Sequence, residues 1–348
     1  MTPNDFRYPE ERVTRTLPKM LAVEDEKLFD AERFRHFDEV HAKTLSDITL
    51  LPSGISIRRT VSMRLYYGAK RISLRALLKL TLKTAKGLLK SVNTVRIDRA
   101  LLITDHWSGG FFHWFSDVLQ KLEALEKYNV DLSGYTVLIP DDFYHAFTRE
   151  SLKVYNVQFR VIAADERALA AEAVYVPLIT PSGNYRPDLM CSMRERFRRY
   201  RPSGTPTRRI YITRAQAKKR RVLNEDRLLP LLERLGFEII AMETLPFWEQ
   251  CRTIAEAEVL ISLHGAGLTH MLWMQPGTKV MEIRSAGDTH NNCYFSLASD
   301  LGLAYYYLLA DKADAGKSTQ RADFMIDVDA AGEKIVHMLS DEITKEMP

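Results

Sequence analysis

Residues 260–283 read LISLHGAGLTHMLWMQPGTKVMEI. A buried apolar strand runs into His264, then Gly265 and Gly267 separated by Ala266. A short apolar helix, a Pro-Gly turn and a second strand carrying Glu282 follow. In open parallel sheets ligands bind just beyond the carboxyl ends of the strands, which is where His264 falls. The segment after it enters a helix whose first N–H groups have no intrahelical partner. Glycine at 265 and 267 lets a ligand approach that backbone with no Cβ in the way. A diphosphate gains from those donors and from the helix dipole, the latter worth about 0.3–1 kcal/mol. The stretch therefore suits a phosphate, with His264 as a further donor, although a tight strand-to-helix turn also uses glycine for structural reasons alone. The dinucleotide fingerprint is not met, because the third glycine position is His270. Glu282 is placed to accept from ribose hydroxyls, or to serve as a surface or capping acid.

Outward from this stretch, strands alternate with helices. Strand RALLITD (99–105) leads through a turn to helix FFHWFSDVLQKLEALEKY, and strand YTVLIPD to helix DFYHAFTRESLKVYN. FRVIA and AVYVPLI are further strands, with DERALAA between them as a turn of helix. After two Pro/Gly breaks around helix LMCSMRERFRRY, a second run begins with strand RRIYITR (208–214). It continues with helix NEDRLLPLLERLG, strand FEIIAME, helix PFWEQCRTIAEA, the opening stretch, strand GLAYYYLLA and an amphipathic terminal helix. Such alternation means parallel-rich sheets covered on both faces. The first fifty residues are less regular, with a helix expected in EDEKLFDAERFRHFDEVHAKTL.

At 348 residues the chain is long enough for two domains. Its three cysteines, Cys191, Cys251 and Cys293, form neither a disulfide framework nor a zinc spacing, which points to a reducing compartment. The polar N-terminus reads as no leader peptide, and no run approaches the roughly 20 apolar residues of a spanning helix. The expected location is cytoplasmic. Residues 71–92, RISLRALLKLTLKTAKGLLKSV, set Arg71, Arg75, Lys79, Lys83, Lys86 and Lys90 along one stripe away from the leucines. This is either an ordinary packed helix or one resting on an anionic membrane surface, a peripheral contact on its inner face. Residues 194–221 hold twelve Lys or Arg against one acid, more than the whole net charge of +4, so the excess is local and suits a particular anionic partner. Within that run Arg214 follows a strand, where its guanidinium suits bidentate phosphate binding. Lys218 and Lys219 lie in the loop, Arg220 and Arg221 rank below Arg214, and Asn224 opens a helix as an N-cap.

The segments from RRIYITRAQAKKRRVLNEDRLLPLLERLGFEII through HGAGLTHMLWMQPGTKVMEI, with GGFFHWFSDVLQKL upstream, resemble glycosyltransferase family 61. The matching segments cover residues 100–125 and 207–285. The resemblance implies a GT-B fold of two Rossmann-like α/β domains facing across a cleft, the C-terminal helix packing back on the N-terminal domain. The expected division is an acceptor-binding domain at 1–180 (1–95 divergent), a nucleotide-sugar domain at 181–325 and a C-terminal helix at 326–348. It further implies inverting sugar transfer from a nucleotide-diphosphate sugar, UDP-sugar favoured, to a glycan or lipid-linked glycan, in surface polysaccharide biosynthesis. Arg214, His264, Gly265, Ala266 and Gly267 would take the diphosphate and Glu282 the ribose. His270 departs from the family, which more often has Asn there, and bears on donor identity.

No paired acids suited to a metal are visible, so the positive charge is expected from Arg214, the helix N-terminus and Lys218 or Lys219, with no metal or cofactor required. Inversion needs a base for the acceptor hydroxyl. His113 and Asp117, four apart on one helix face, fit as base and orienting partner. Asp105 and His106 are held in reserve, and Trp114 is a sugar platform or core. Competing readings are a metal hydrolase built on His106, His113, His264, His270 and His290, for which no pair has the H-x-x-x-H spacing, and a nucleic-acid-binding or scaffold module using residues 194–221. Nucleic acid is not the expected partner.

Overall fold

The computed structural model describes residues 1–58, 74–90, 92–200, 203–217 and 219–341. Arg71, Arg201, Lys218 and the end of the tail lie outside the described residues, as do the side chains of Arg75, Lys79, Lys83 and Arg199. The chain divides into two compact units, Met1–Glu11 with Asp38–Ser182, and Arg12–Phe37 with Gly183–Pro348. Residues 12–37 thus group with the second half of the chain, although sequence order assigns them to the first.

Unit 1 holds a six-stranded sheet of β1 (Lys43–Leu50), β2 (Ser56–Arg58), β3 (Asn93–Leu102), β4 (Thr136–Pro140), β5 (Phe159–Ile162) and β6 (Glu166–Tyr175) in the order β2-β1-β6-β3-β4-β5. The β6-β3-β4-β5 portion is parallel and β1 and β2 are antiparallel additions. Two local expectations fail, one in this sheet and one in residues 12–37 of unit 2. DERALAA is part of β6, paired with β3 on one side and β1 on the other. Its alanines favour helix in isolation, but Ala168, Ala170 and Ala173 are buried in the core with Leu45, Ile48 and Leu138, and sheet packing overrides propensity. The helix expected near residue 30 is reduced to a 3-10 segment Val23–Leu28 and one turn at Asp30–Arg33, after which the chain turns to strands.

Unit 2 holds β7 (Arg208–Ile212), β8 (Phe237–Ile240), β9 (Ala257–Leu263), β10 (Lys279–Ser285), β11 (Ala304–Lys312) and β12 (Phe324–Met325), in the order β8-β7-β9-β10-β11-β12. All but β12 are parallel. β9 is apolar on both faces because both are covered: Val259, Ile261 and Leu263 join the core formed with Leu228, Leu232, Ile335 and Met338, and Leu260 is equally buried opposite. The C-terminal helix Val328–Ser340 starts on Asp327, whose carboxylate accepts from the N–H groups of Asp329 and Ala330. Its Ala331, Ile335 and Met338 close the core of unit 2.

Candidate active site

In unit 2 the chain runs from β7 to β8 on one side and then returns to β9 on the other, so the connections leaving β7 and β9 diverge. This is the switch point at which open α/β sheets bind ligands. β7 and β9 pair with Ile212 opposite Ser262, which sets Arg214 and His264 just past two neighbouring strand ends. Gly265 caps a 3-10 helix, Ala266–Trp273, whose first bond runs from the Leu268 N–H to the Gly265 carbonyl. The N–H groups of Ala266 and Gly267 therefore stand at its open end.

Both glycines also make room for groups of the chain itself. A Cβ at Gly265 would lie 2.7 Å from Arg214 Nη1, and one at Gly267 3.2 Å from Ile212 Cγ2. Gly267 admits the neighbouring strand, and Gly265 admits a guanidinium. Arg214 is held there by backbone carbonyls, donating from Nε to Arg220 (2.9 Å) and from Nη2 to Lys219 (3.4 Å). Arg220 joins it: its Nη1 is 3.4 Å from the His264 carbonyl and 3.6 Å from the Cβ position of Gly265. Arg220 has φ 56°, a region non-glycine residues seldom enter, and its buried Nε has no hydrogen-bond partner. Among the described residues neither guanidinium meets a carboxylate. Burial, then the charge of Arg220, push Arg214 below its ordinary value. Two cations in one place, with Glu243 opposing them only through space and no carboxylate in contact among the described residues, favour an anion between them.

Glu282 is fully buried, with its oxygens taken by His264 Nδ1 and the Tyr305 hydroxyl. Burial raises its carboxyl, but His264, the two hydrogen bonds and the nearby Arg284 outweigh that and hold it below the usual carboxylate range. It is therefore not on a surface that ribose can reach; it orients the His264 ring, leaving Nε2 as the nitrogen to face a ligand. Lys219 is exposed, and its carbonyl accepts from Arg214 Nη2. His270 is buried and does not border a ligand surface. Its Nδ1 bonds the Gly267 carbonyl (2.8 Å) and its Nε2 lies 2.9 Å from Gln250 Oε1. Burial pushes it down to about 4 against the Gly267 bond, and its contacts to Gly267 and Gln250 steady the turn.

In unit 1 the parallel strands β3 and β6 are neighbours, and the paths leaving their ends meet at Asp117. The first leads to Phe111–His113, the π-helical Trp114–Val118 and Leu119–Lys127. π-helical turns within α-helices are frequent at functional sites. His113 Nδ1 is 2.8 Å from Asp117 Oδ2, and the buried Asp117 also accepts from Ser116 (2.9 Å) and from Ser182 (2.8 Å), which arrives after β6. Beneath them the buried Lys121 donates to the Ile103 carbonyl (2.7 Å). Burial lowers its pKa while Asp105 and Asp117 oppose that, so it balances their charge. Asp105 is engaged by the Trp107 N–H (2.9 Å) and Ser108, and the His106 ring lies 4.6 Å from that of Trp107.

Residues 111–281 match the family model described as Glycosyltransferase 61, a stretch that includes His113, Asp117, Arg214, Arg220 and His264. The chain belongs to glycosyltransferase family 61. It is 37% identical over 109 residues to an EGF domain-specific O-linked N-acetylglucosamine transferase of Drosophila melanogaster, covering 30% of this chain and 20% of that protein. The Bos taurus protein of the same name is 31% identical over 102 residues (28% and 19%). The xylan glycosyltransferase MUCI21 of Arabidopsis thaliana is 31% identical over 91 residues (25% and 18%). The match spans about a fifth of the length of each of these relatives.

Two residues of this family-61 chain matter more than the sequence suggested. In sequence Arg220 ranks below Arg214, because nothing in a basic loop says which cation turns inward. Trp107 is 60% exposed with its ring stacked on His113 (5.7 Å between centroids, 25° between planes), whereas Trp114 is core, its Nε1 bonded to Ser151 (2.8 Å). The basic run is also less free than its composition implies. Arg208 pairs with Glu238 and Glu256, Arg209 with Glu258, Arg221 with Asp323, and Arg194 donates to the Leu301 carbonyl.

Proposed function

We propose that this family-61 chain transfers a sugar from a nucleotide-diphosphate sugar, UDP-sugar favoured, to a glycan or lipid-linked glycan, with inversion and without a divalent metal. In this reading the units are the halves of a GT-B enzyme, unit 2 taking the donor and unit 1 the acceptor. The observation that carries it is the convergence of Arg214 and Arg220 on Gly265, with no carboxylate in contact among the described residues, beside the open N–H groups of Ala266 and Gly267.

His113 Nε2 takes the proton of the acceptor hydroxyl while Asp117 holds Nδ1. The acceptor oxygen forms its bond to the anomeric carbon on the face opposite the diphosphate, and the bond from that carbon to the diphosphate oxygen breaks. The negative charge arriving on the leaving diphosphate is met by Arg214, Arg220, the two N–H groups and His264, fixed before the reaction begins. Trp107 offers the apolar face of its indole to the acceptor ring beside the base. A xylan glycosyltransferase among the relatives is in keeping with a glycan acceptor. We assign the chain to surface polysaccharide assembly at the cytoplasmic side of the membrane.

Calorimetric titration with UDP and other nucleoside diphosphates, with and without chelator, tests this on the wild type, Arg214→Ala and Arg220→Ala. The expected result is chelator-insensitive binding, weakened about tenfold or more in either variant, since a hydrogen bond to a charged group is worth about 1.5–3 kcal/mol. No binding to any nucleoside diphosphate, or equal binding by all three proteins, overturns the reading. Oligonucleotide binding by all three would point instead to the basic run 194–221.

A further inference from the structure

The helix Leu74–Lys90 presents an apolar stripe to solvent. Leu78, Leu82, Ala85 and Leu89 fall at i, i+4, i+7 and i+11, one face of a helix. Leu78 is 61% exposed, Leu82 62% and Leu89 82%. The opposite face is fixed by Gly87, half a turn round from Leu78, where a Cβ would come within 2.9 Å of Leu51 Cδ1. Leu51 is itself buried, so this side of the helix is seated on unit 1 and the leucine stripe is the side left outward. Lys86 and Lys90 are exposed beside the stripe, and residues 74–90 contain no acid.

We propose that this helix lies flat on an anionic lipid surface, its leucines in the acyl boundary and its lysines among the headgroups. Charge selects the occupant. The helix offers cations and no anion, so a second copy of it would bring the same charge and nothing to neutralise it, whereas a bilayer rich in acidic lipid supplies both the apolar layer and the counter-charge. No helix among the described residues is long and apolar enough to cross a membrane, so the mode is contact in the plane of the interface. This inference is independent of the sugar-transfer reading.

Co-sedimentation of the full chain with phosphatidylcholine vesicles and with phosphatidylcholine–phosphatidylglycerol vesicles tests it. The wild type is expected to bind the acidic vesicles alone, less so at high salt. Lys86→Glu with Lys90→Glu should weaken binding about 30-fold or more, each lysine contributing about a fivefold factor. Leu82→Asp with Leu89→Asp should abolish it, with the melting temperature and UDP titration of both variants unchanged. The proposal is overturned if the wild type binds no acidic vesicles or if the leucine variant still binds. It is also overturned if that variant melts several degrees lower, or converts a dimer to a monomer in sedimentation velocity, because the stripe is then covered by protein.

Discussion

The Arg214 guanidinium occupies the space that a β-carbon at position 265 would take, Nη1 standing 2.7 Å from that point. The glycine is thus part of the arginine's seat. Gly265 has an extended backbone (φ 161°), so alanine is compatible with the main chain and the conflict falls on the guanidinium alone. Gly265→Ala should weaken nucleoside diphosphate binding about tenfold to a hundredfold with little change in melting temperature. Arg214→Ala made in the Gly265→Ala background should then add little more. Calorimetry on the four proteins of the cycle checks this; simple additivity of the two losses would show that they act separately.

His113 and Asp117 are bonded across one helical turn that contains a π-helical segment. His113→Gln should lower kcat by about 10²- to 10⁴-fold, the usual contribution of a general base, and leave nucleoside diphosphate affinity as it was. Asp117→Asn should cost less, because Ser116 and Ser182 still brace the side chain. Transfer rates within threefold of wild type for His113→Gln would move the base elsewhere, with Asp105 the next to test.

Trp107 and His113 are stacked, and the tryptophan remains mostly exposed. Trp107→Ala is expected to raise the acceptor KM by about tenfold while kcat and donor affinity change little, and Trp107→Phe to recover part of the loss, since aromatic contacts are worth about 0.5–1.5 kcal/mol beyond area burial. Steady-state kinetics at saturating donor separates these parameters. An unchanged KM in Trp107→Ala removes the indole from the acceptor site.

Glu282 carries a stability prediction with a definite sign. Its carboxyl lies lower in the folded chain than the ordinary value of 4.5. The stabilisation is fully present above that value and is lost as pH falls through the lower folded value, since the unfolded state binds the proton first. Melting temperature should therefore decline from about pH 5 downward, and Glu282→Gln should flatten that decline while lowering stability at pH 7. A decline of the same slope in both proteins would assign the acid sensitivity to other carboxylates.

Much of this architecture was legible before any coordinates. The apolar run of β9 declared a strand covered on both faces, and the alternation of strands and helices in residues 207–285 declared a parallel-rich sheet. The His113–Asp117 spacing declared a pair, and the pair forms. Less visible was where Glu282 goes. A carboxylate read at a strand end can face solvent or turn inward, but β10 runs on to Ser285, so Glu282 lies within the sheet, between Tyr305 of β11 and His264 just past β9. Nor does a run of basic residues say which are spent on Glu238, Glu256, Glu258 and Asp323, and which, like Arg220, meet no carboxylate among the described residues.

Sequence alone determined the elements whose cause is local: periodicity sets which face of a strand or helix is apolar, and glycine marks the backbone that a bulky group approaches. Tertiary structure decided what does the approaching. At Gly265 it is the chain's own Arg214, at Gly267 it is Ile212, and at DERALAA the neighbouring strands outbid the helix preference of alanine. The physical reason is one of range. Backbone propensity and side-chain spacing act within a few residues, while burial, counter-charge and close packing depend on groups that only folding brings together.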